Sequence, residues 1–175
     1  MILGFTQKIN KKPNYFVRKI LFGLIKGGVC KFSDFDHYNN LHREKFGVDF
    51  ENKIEYKEGK IHTIRAGNRW RVGMVIDFFI NTRTINMFRF APKIAAKHVQ
   101  KIKINWVQDY GNDLKIVCIE IDNQPFIELY TDLAIGSDKL IKLAINDGFE
   151  SASDFLNYFN KDFTGQLIFW AGDKY

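Results

Sequence analysis

The spacing of apolar residues predicts helices near both ends of this chain. Apolar positions at helical spacing predict a helix after Pro13, over residues 15–25, and two more over residues 137–147 and 151–159. Gly148 lies between the last two and fits the left-handed residue that ends a helix. These segments are amphipathic, so we expect each of them to pack one face on a core.

Alternating apolar residues predict strands through the middle of the chain. We expect strands at residues 1–9, 61–66, 74–81, 98–107, 114–122, 125–130 and 165–171. Near residue 100 the alternation slips by one position, which a β-bulge would explain. Many short strands with helices near both ends predict an α+β protein, built on a small mixed β-barrel that is closed or partly closed.

Residues 29–59 differ in character from the rest of the chain. They mix charges, asparagine and aromatic residues without a clean period, which predicts an excursion from the core with one short helix near residues 37–46. The length of 175 residues suits one domain, so we expect a single domain over residues 1–175 with an insertion over residues 24–58.

Positive charge is concentrated in one window of the sequence. The net charge is +6, but residues 60–103 hold ten basic residues and only one acidic residue, Asp77, so this window carries +9 and the remainder −3. Most of the basic residues between 60 and 89 are arginine, whose planar fork suits phosphate. We expect an anionic partner on one face. The alternative is that the strands of a basic protein simply carry their cations outward.

Composition excludes several classes of protein. No window reaches the roughly 18 apolar residues of a membrane span. The apolar start precedes its lysines, the reverse of a secretory signal, so we expect a cytoplasmic protein. Cys30 and Cys118 form neither a disulfide framework nor a metal spacing, and His37 and His42 are five apart, where a zinc pair on a helix prefers three or four. We expect no metal and no cofactor.

Five short motifs follow one another in a distinctive order. They are K-I-L-x-G at 19–23, G-K-x-x-T-I-R at 59–65, W-x-x-G at 70–73, A-x-x-D-G-F at 144–149 and D-F-T-G-x-L-I-x-W at 162–170. In this order they resemble the ASCH domain, a member of the PUA-like superfamily. The resemblance covers about residues 1–23 and 59–175, and it is carried chiefly by G-K-x-x-T-I-R.

This resemblance implies a PUA-like β-barrel with a cleft beside the strand that carries Thr63, and a role in binding RNA or a modified base. One branch of ASCH proteins hydrolyses the amide of acetylcytidine with a lysine, a threonine and a glutamate. By motif, these fall on Lys60, Thr63 and Asp147. At the last position the chain departs from the pattern, because aspartate is one methylene shorter than glutamate.

The chemistry of these residues sets a geometric condition. Amide hydrolysis needs a nucleophile and a base, which Thr63 and Lys60 could supply if burial and the neighbouring Arg65 lower the lysine pKa. Along a strand, residues 61, 63 and 65 share one face, so Lys60 points away from Thr63 unless it precedes the strand. A turn at Gly59 would allow this. Asp147, at a helix C-terminus that disfavours negative charge, requires water or a cation beside it.

Other residues of the basic window are candidates for ligand binding: Arg65, Arg69, Trp70, Arg71 and Arg83. The arginines suit phosphates, and a base stacked on the indole would be worth about 1–3 kcal/mol. The alternative for Trp70 is a core position over the barrel mouth.

Three functions remain open from the sequence. The first is binding of RNA or a modified nucleobase or nucleoside in a basic cleft. The second is an amidohydrolase of the acetylcytidine type that uses the same cleft. The third is a protein–protein interaction module that acts through residues 29–59. The oligomeric state is open.

Overall fold

The computed structural model describes residues 1–9, 11–50, 59–109 and 114–175. Along these residues the strands are β1 (Ile2–Phe5), β2 (Lys8–Ile9), β3 (Lys12–Pro13), β4 (His62–Ala66), β5 (Val75–Ile80), β6 (Phe88–Arg89), β7 (Ile94–Ala95), β8 (His98–Asp109), β9 (Leu114–Ile121), β10 (Gln124–Tyr130) and β11 (Phe163–Phe169). The helices are α1 (Phe16–Lys26), α2 (Phe32–Phe46), α3 (Thr131–Ile135), α4 (Asp138–Asn146) and α5 (Ala152–Tyr158). The predicted α+β class is confirmed.

The larger sheet is antiparallel and runs in the order β10-β9-β8-β11-β4. One of its faces packs on α4 and α5 through a core that includes Ile64, Ile104, Leu143 and Phe155. Within the described residues no pairing joins β10 to β4, so the sheet has two ends and no closed barrel is observed. The strand β4, which carries Thr63, is therefore an edge.

The smaller sheet places β1 parallel to β5, with β6 and β7 antiparallel to β5. It forms a second core with α1 in which aromatic rings dominate. Phe5 lies 6.1 Å from both Phe78 and Trp170, measured between ring centroids. Trp170 follows β11 of the larger sheet directly, so this core connects the two sheets.

The segment over residues 24–58, which the sequence predicts to be an insertion, is more helical than expected. Helix α1 continues to Lys26, with Leu24 fully buried. Helix α2 spans residues 32–46 in place of the shorter helix near residues 37–46. Phe35 and Phe46 pack against the aromatic core, so α2 belongs to the same body. Residues 51–58, also part of the predicted insertion, lie outside the described residues. An interaction role for this segment stays a prediction.

The slip in alternation near residue 100 has a cause other than a bulge. The register of β8 against β11 is continuous from His98 to Ile104. Gln100 occupies a buried position on the face that also carries Ile102 and Ile104. The polar residue broke the apolar pattern while the strand stayed regular, so the predicted bulge is wrong.

The other helix boundaries follow the sequence signals. Asp154 donates its backbone N–H to Ser151 Oγ at 3.0 Å, so Ser151 caps α5 at the residue where the sequence predicts this helix to begin. Gly148 has the left-handed φ of +89° that was expected after α4. No helix among the described residues is long and apolar enough to cross a membrane.

Candidate functional site

A close approach of two backbones places Lys60 before β4. A Cβ added to Gly23 would lie 2.1 Å from Lys60 O, and one added to Gly59 would lie 2.3 Å from Gly23 N. The Lys60 N–H donates to Lys19 O at 2.8 Å, and Trp170 Nε1 donates to Lys60 O at 2.9 Å. Lys60 thus precedes the strand that starts at His62, as the geometric condition required.

The Lys60 side chain forms a buried ion pair with Asp147. Its Nζ donates to Asp147 Oδ1 at 2.7 Å and to the Asp147 backbone oxygen, and it lies 4.7 Å from the centroid of the Phe16 ring. The side chains are 1% and 7% exposed. Asp147 lies at the C-terminal end of α4, where the helix dipole disfavours negative charge, and Lys60 is the cation that compensates it. The motifs singled out Lys60 and Asp147, which are 87 positions apart in the sequence, and the structure brings their side chains into contact.

The turn after α4 fixes this carboxylate in place. Phe149 donates its N–H to Ala144 O at 3.0 Å, and buried Lys19 donates from Nζ to Gly148 O at 2.7 Å. Two lysine ammonium groups therefore meet successive carbonyls at the end of the helix, where the helix dipole favours positive charge. A Cβ on Gly148 would lie 2.9 Å from Lys60 Cδ, so this glycine also makes room for the lysine.

The edge of β4 that does not pair with β11 is hydrogen bonded to the turn after α4. Ile61 donates its N–H to Asn146 O at 3.0 Å, and Ile64 donates its N–H to Asp147 Oδ1 at 3.1 Å. An edge strand would otherwise leave such donors without partners. Asp147 Oδ1 therefore accepts from both a side chain and the backbone of β4.

Electrostatics at the pair favour a lysine that can lose its proton. Burial lowers the pKa of Lys60 to about 8, against the opposing pull of Asp147, and Arg65 and Lys19 add to the lowering. Burial alone would raise the pKa of Asp147, but Lys60 and His62 outweigh it and hold that pKa below its ordinary value. Such a lysine can act as a base near neutral pH.

Thr63 lines a cavity beside the pair. The cavity has a volume of about 60 Å³, and Lys60, Arg65 and Asp147 also line it. Thr63 is 4% exposed, so its side chain is almost fully buried beside the pair. A second cavity of about 230 Å³ shares three lining residues with the first: Ile9, Phe16 and Phe149. Thr63 therefore lies in the wall of a small cavity that shares part of its lining with a larger one.

Arg65 forms another wall of the small cavity. Its Nη2 donates to Gly4 O at 2.8 Å, and its guanidinium lies 5.0 Å from the centroid of the Phe5 ring. Burial lowers its pKa, although Asp147 and Tyr158 oppose this. The guanidinium remains a cation, with further donors available to a ligand.

Trp70 does not offer its ring to a base. The residue is 3% exposed and belongs to the aromatic core. Its backbone N–H donates to Gln166 Oε1 at 2.9 Å, and Gln166 Nε2 donates back to Trp70 O at 3.1 Å. A residue that is 3% exposed leaves no ring face open to a base, so the core position, which was the alternative from the sequence, is observed in place of the stacking role.

The remaining arginines lie on the surface. Arg69, Arg71 and Arg83 are exposed, and none of them is among the described residues that line the small cavity. Arg71 is bound to its own turn, where Nη1 donates to Trp70 O at 2.8 Å. Arg83 follows Thr82, whose side chain lies beside Gly4, the residue that accepts from Arg65. Arg83 is thus one residue along the chain from this contact, whereas Arg69 and Arg71 belong to the loop at Trp70.

Fewer cations of the basic window, residues 60–103, are available to a ligand than the sequence suggested. Arg89 forms two hydrogen bonds to Asp77, at 2.5 and 3.0 Å, and Lys93 lies 3.7 Å from the same carboxylate. Lys60 is buried against Asp147. Several of the ten cations therefore have internal partners, and the window does not form one uniform surface.

Sequence reasoning did not identify two polar residues of the site. His62 is fully buried, with Nδ1 3.5 Å from Asp147 Oδ1, and its Nε2 lies 2.9 Å from the Tyr175 hydroxyl. Nothing in the spacing of these residues indicated the contact, since they are 113 positions apart. Among the described residues no group of three histidine, cysteine or carboxylate side chains is placed to hold a metal.

Comparison with protein-family models, curated proteins and solved structures found no match to this chain.

Proposed function

We propose that this chain is an ASCH-type protein of the PUA-like superfamily that binds RNA or a modified nucleobase or nucleoside beside β4. One observation carries the proposal: the Thr63 hydroxyl, the Lys60–Asp147 pair and Arg65 line one cavity, as the motif resemblance implies. The donors and acceptors that a base edge needs are therefore present at one place.

The dimensions of the two cavities favour a base with a small exocyclic substituent. A volume of 60 Å³ holds a few water-sized groups, enough for an acetyl amide. The adjoining cavity of 230 Å³ has Phe16 and Phe149 in its wall and can receive the ring system. Nucleobases contact aromatic side chains favourably, so these two rings take the part that the sequence assigned to Trp70.

Calorimetric titration with cytidine, acetylcytidine and a short RNA tests the proposal. Thr63→Val removes the hydroxyl but keeps the shape, so we expect acetylcytidine affinity to fall about tenfold, the value of one lost hydrogen bond to a buried site. Thr164→Val, an exposed position on β11, is the matched control and should leave affinity unchanged. Equal affinities in all three proteins, or no binding at all, would contradict the proposal.

A second candidate function, amide hydrolysis of an acetylcytidine-type nucleoside, is favoured by the lowered pKa of Lys60. In this mechanism the Thr63 hydroxyl attacks the acetyl carbonyl while neutral Lys60 takes its proton. The C–N bond then breaks, and the exocyclic amine leaves with that proton as cytidine. Water hydrolyses the acetyl–threonine ester to acetate and restores the hydroxyl.

Turnover separates the second candidate from binding alone. Incubation with acetylcytidine, followed by chromatography, should yield cytidine and acetate in equal amounts, and Thr63→Val should abolish both products. Tight binding without product would leave the binding function standing and remove the hydrolase.

A further inference from the structure

A row of polar side chains, partly buried at Asn146 and Tyr175 and fully buried at His62, continues behind the Lys60–Asp147 pair. Asn146 Nδ2 donates to the Tyr175 hydroxyl oxygen at 2.9 Å, and that hydroxyl lies 2.9 Å from His62 Nε2. His62 Nδ1 lies 3.5 Å from Asp147 Oδ1, and no atom among the described residues is within hydrogen-bonding distance and geometry of it. The row therefore runs from Tyr175 through His62 to the carboxylate of the site.

These contacts decide which nitrogen of His62 carries the proton. The Tyr175 oxygen accepts from Asn146 Nδ2, which leaves its own proton free to point to His62 Nε2, and the Asp147 carboxylate that faces Nδ1 can only accept, which favours this arrangement. Nε2 is then an acceptor, and a neutral imidazole must carry its proton on Nδ1. Burial lowers the pKa of His62, which keeps the ring neutral. A Nδ1–H donor therefore faces Asp147.

The Tyr175 hydroxyl is held in place by the larger sheet. Gln100 accepts from Tyr175 N at 2.8 Å and donates to Tyr175 O at 3.0 Å. The tyrosine ring contacts His62 and Phe169, with centroids 5.6 and 5.8 Å away. This explains why a glutamine occupies a buried position of β8: it fixes the backbone of the residue that orients the histidine.

We propose that His62 and Tyr175 are positioning residues for the site, and that the His62 Nδ1–H is a reserve donor for Asp147 when Lys60 is neutral. The inference rests on the proposed function, since neutral Lys60 matters only if the site uses it. When Lys60 loses its proton, Asp147 becomes a buried carboxylate without a cation in contact, which is costly. A shift of a few tenths of an ångström would bring His62 Nδ1 within hydrogen-bonding distance.

Nitrogen NMR of the histidine ring tests the proton assignment without any substrate. At pH 7.5 we expect His62 to show a protonated Nδ1 and a bare Nε2. Tyr175→Phe removes the hydroxyl donor, so the Nε2-protonated form should appear. Tyr38→Phe, in α2, is the matched control and should change nothing at His62. A protonated Nε2 in the unaltered protein, or no response to Tyr175→Phe, would overturn the proposal.

Lysine NMR then measures the reserve donor itself. Without the His62 Nδ1–H donor, the Asp147 carboxylate is less stable when Lys60 is neutral, so the protonated form of Lys60 is favoured. The Lys60 pKa should therefore rise by about half to one unit in His62→Met and in Tyr175→Phe. His62→Asn places an amide donor near the Nδ1 position and should restore the lower value in part. His37→Asn, at an exposed position of α2, is the control.

The two sets of results are separable. A Lys60 pKa that stays unchanged in both folded variants overturns the reserve-donor role, even if acetylcytidine is bound or hydrolysed. A Lys60 pKa that rises as expected supports the role, even if the nucleoside proves to be the wrong ligand. If His62→Met does not fold, Tyr175→Phe decides the question alone.

Discussion

At the residue scale, the site depends on one buried ion pair. Burial removes water from both Lys60 and Asp147, and each charge is tolerated because the other is within 2.7 Å. Removing one partner leaves the other charged, buried and uncompensated. The pair is therefore expected to be far more sensitive to single substitution than to joint replacement by apolar residues.

We expect Asp147→Asn to lower the free energy of unfolding by about 3 kcal/mol, because Lys60 stays buried without its counter-charge. The double variant Lys60→Met/Asp147→Leu should recover most of that loss. Urea denaturation measures both. The control is Asp49→Asn in the exposed Arg43–Asp49 pair, which should change stability little. A double variant that is at least as unstable as Asp147→Asn would contradict this account.

The lowered pKa of Lys60 predicts the pH dependence of the hydrolysis proposed as the second candidate function. The neutral amine is the form that accepts the Thr63 proton, and it becomes the major form as pH rises through about 8. We therefore expect kcat/KM for acetylcytidine to increase through that pH and then level off. A profile that falls across the same range would assign the base to another group.

At the scale of elements, the site is held by the contact of α1 with the segment before β4. Gly23 and Gly59 let the two backbones come into contact, and this contact fixes the position of the Lys60 backbone and the direction of its side chain. The turn after α4 meets the same place from the other side and covers the edge of β4. Three elements distant in sequence therefore converge on one lysine.

Gly23→Ala tests this contact. Alanine favours helix over glycine by about 1 kcal/mol. Its Cβ would nevertheless lie 2.1 Å from Lys60 O, so we expect a net destabilisation of about 1–3 kcal/mol and weaker ligand binding. Gly136→Ala is the control, since its Cβ would meet its nearest neighbour at 3.7 Å. Thermal unfolding of both variants gives the comparison, and a stabilised Gly23→Ala protein would refute the close contact.

At the scale of the whole molecule, charge is divided between inside and outside. Lys60 and Lys19 neutralise the end of α4, Arg89 is paired with Asp77, and Arg65 is half-buried. Among the described residues of the basic window, the exposed arginines without a carboxylate partner are Arg69 and Arg71, which follow β4, and Arg83, which follows β5. Any contact with a polyanion is thus expected at these two loops.

Binding of a short RNA should weaken as salt rises, because each phosphate contact releases counterions. Arg69→Ala should reduce the slope of log affinity against log salt by about one unit. Lys139→Ala, on α4 at the helical face of the sheet, is the matched control and should not alter the slope. Salt-independent binding would contradict the expectation of phosphate contacts.

Local signals in the sequence were sufficient for much of the fold. Ser151 and Asp154 cap α5, and Gly148 takes the left-handed conformation after α4, because both effects act within a few residues. Most of the longer strands followed from alternation for the same reason, but residues 1–9, expected as one strand, form β1 and β2 in different sheets. The bulge predicted near residue 100 was wrong because alternation cannot distinguish a register shift from a buried polar residue such as Gln100.

The sequence by itself determined the α+β class, the longer strands, three of the helices and, through its motifs, three residues of the candidate site, but it did not predict α3, β3, β6 or β7. The tertiary structure alone decided that Trp70 is buried, that the larger sheet is open among the described residues, and that His62 and Tyr175 meet behind Asp147. The reason is physical. Backbone preference and apolar spacing act over a few neighbouring residues, whereas burial, pKa and hydrogen-bond partners depend on residues brought together from distant parts of the chain.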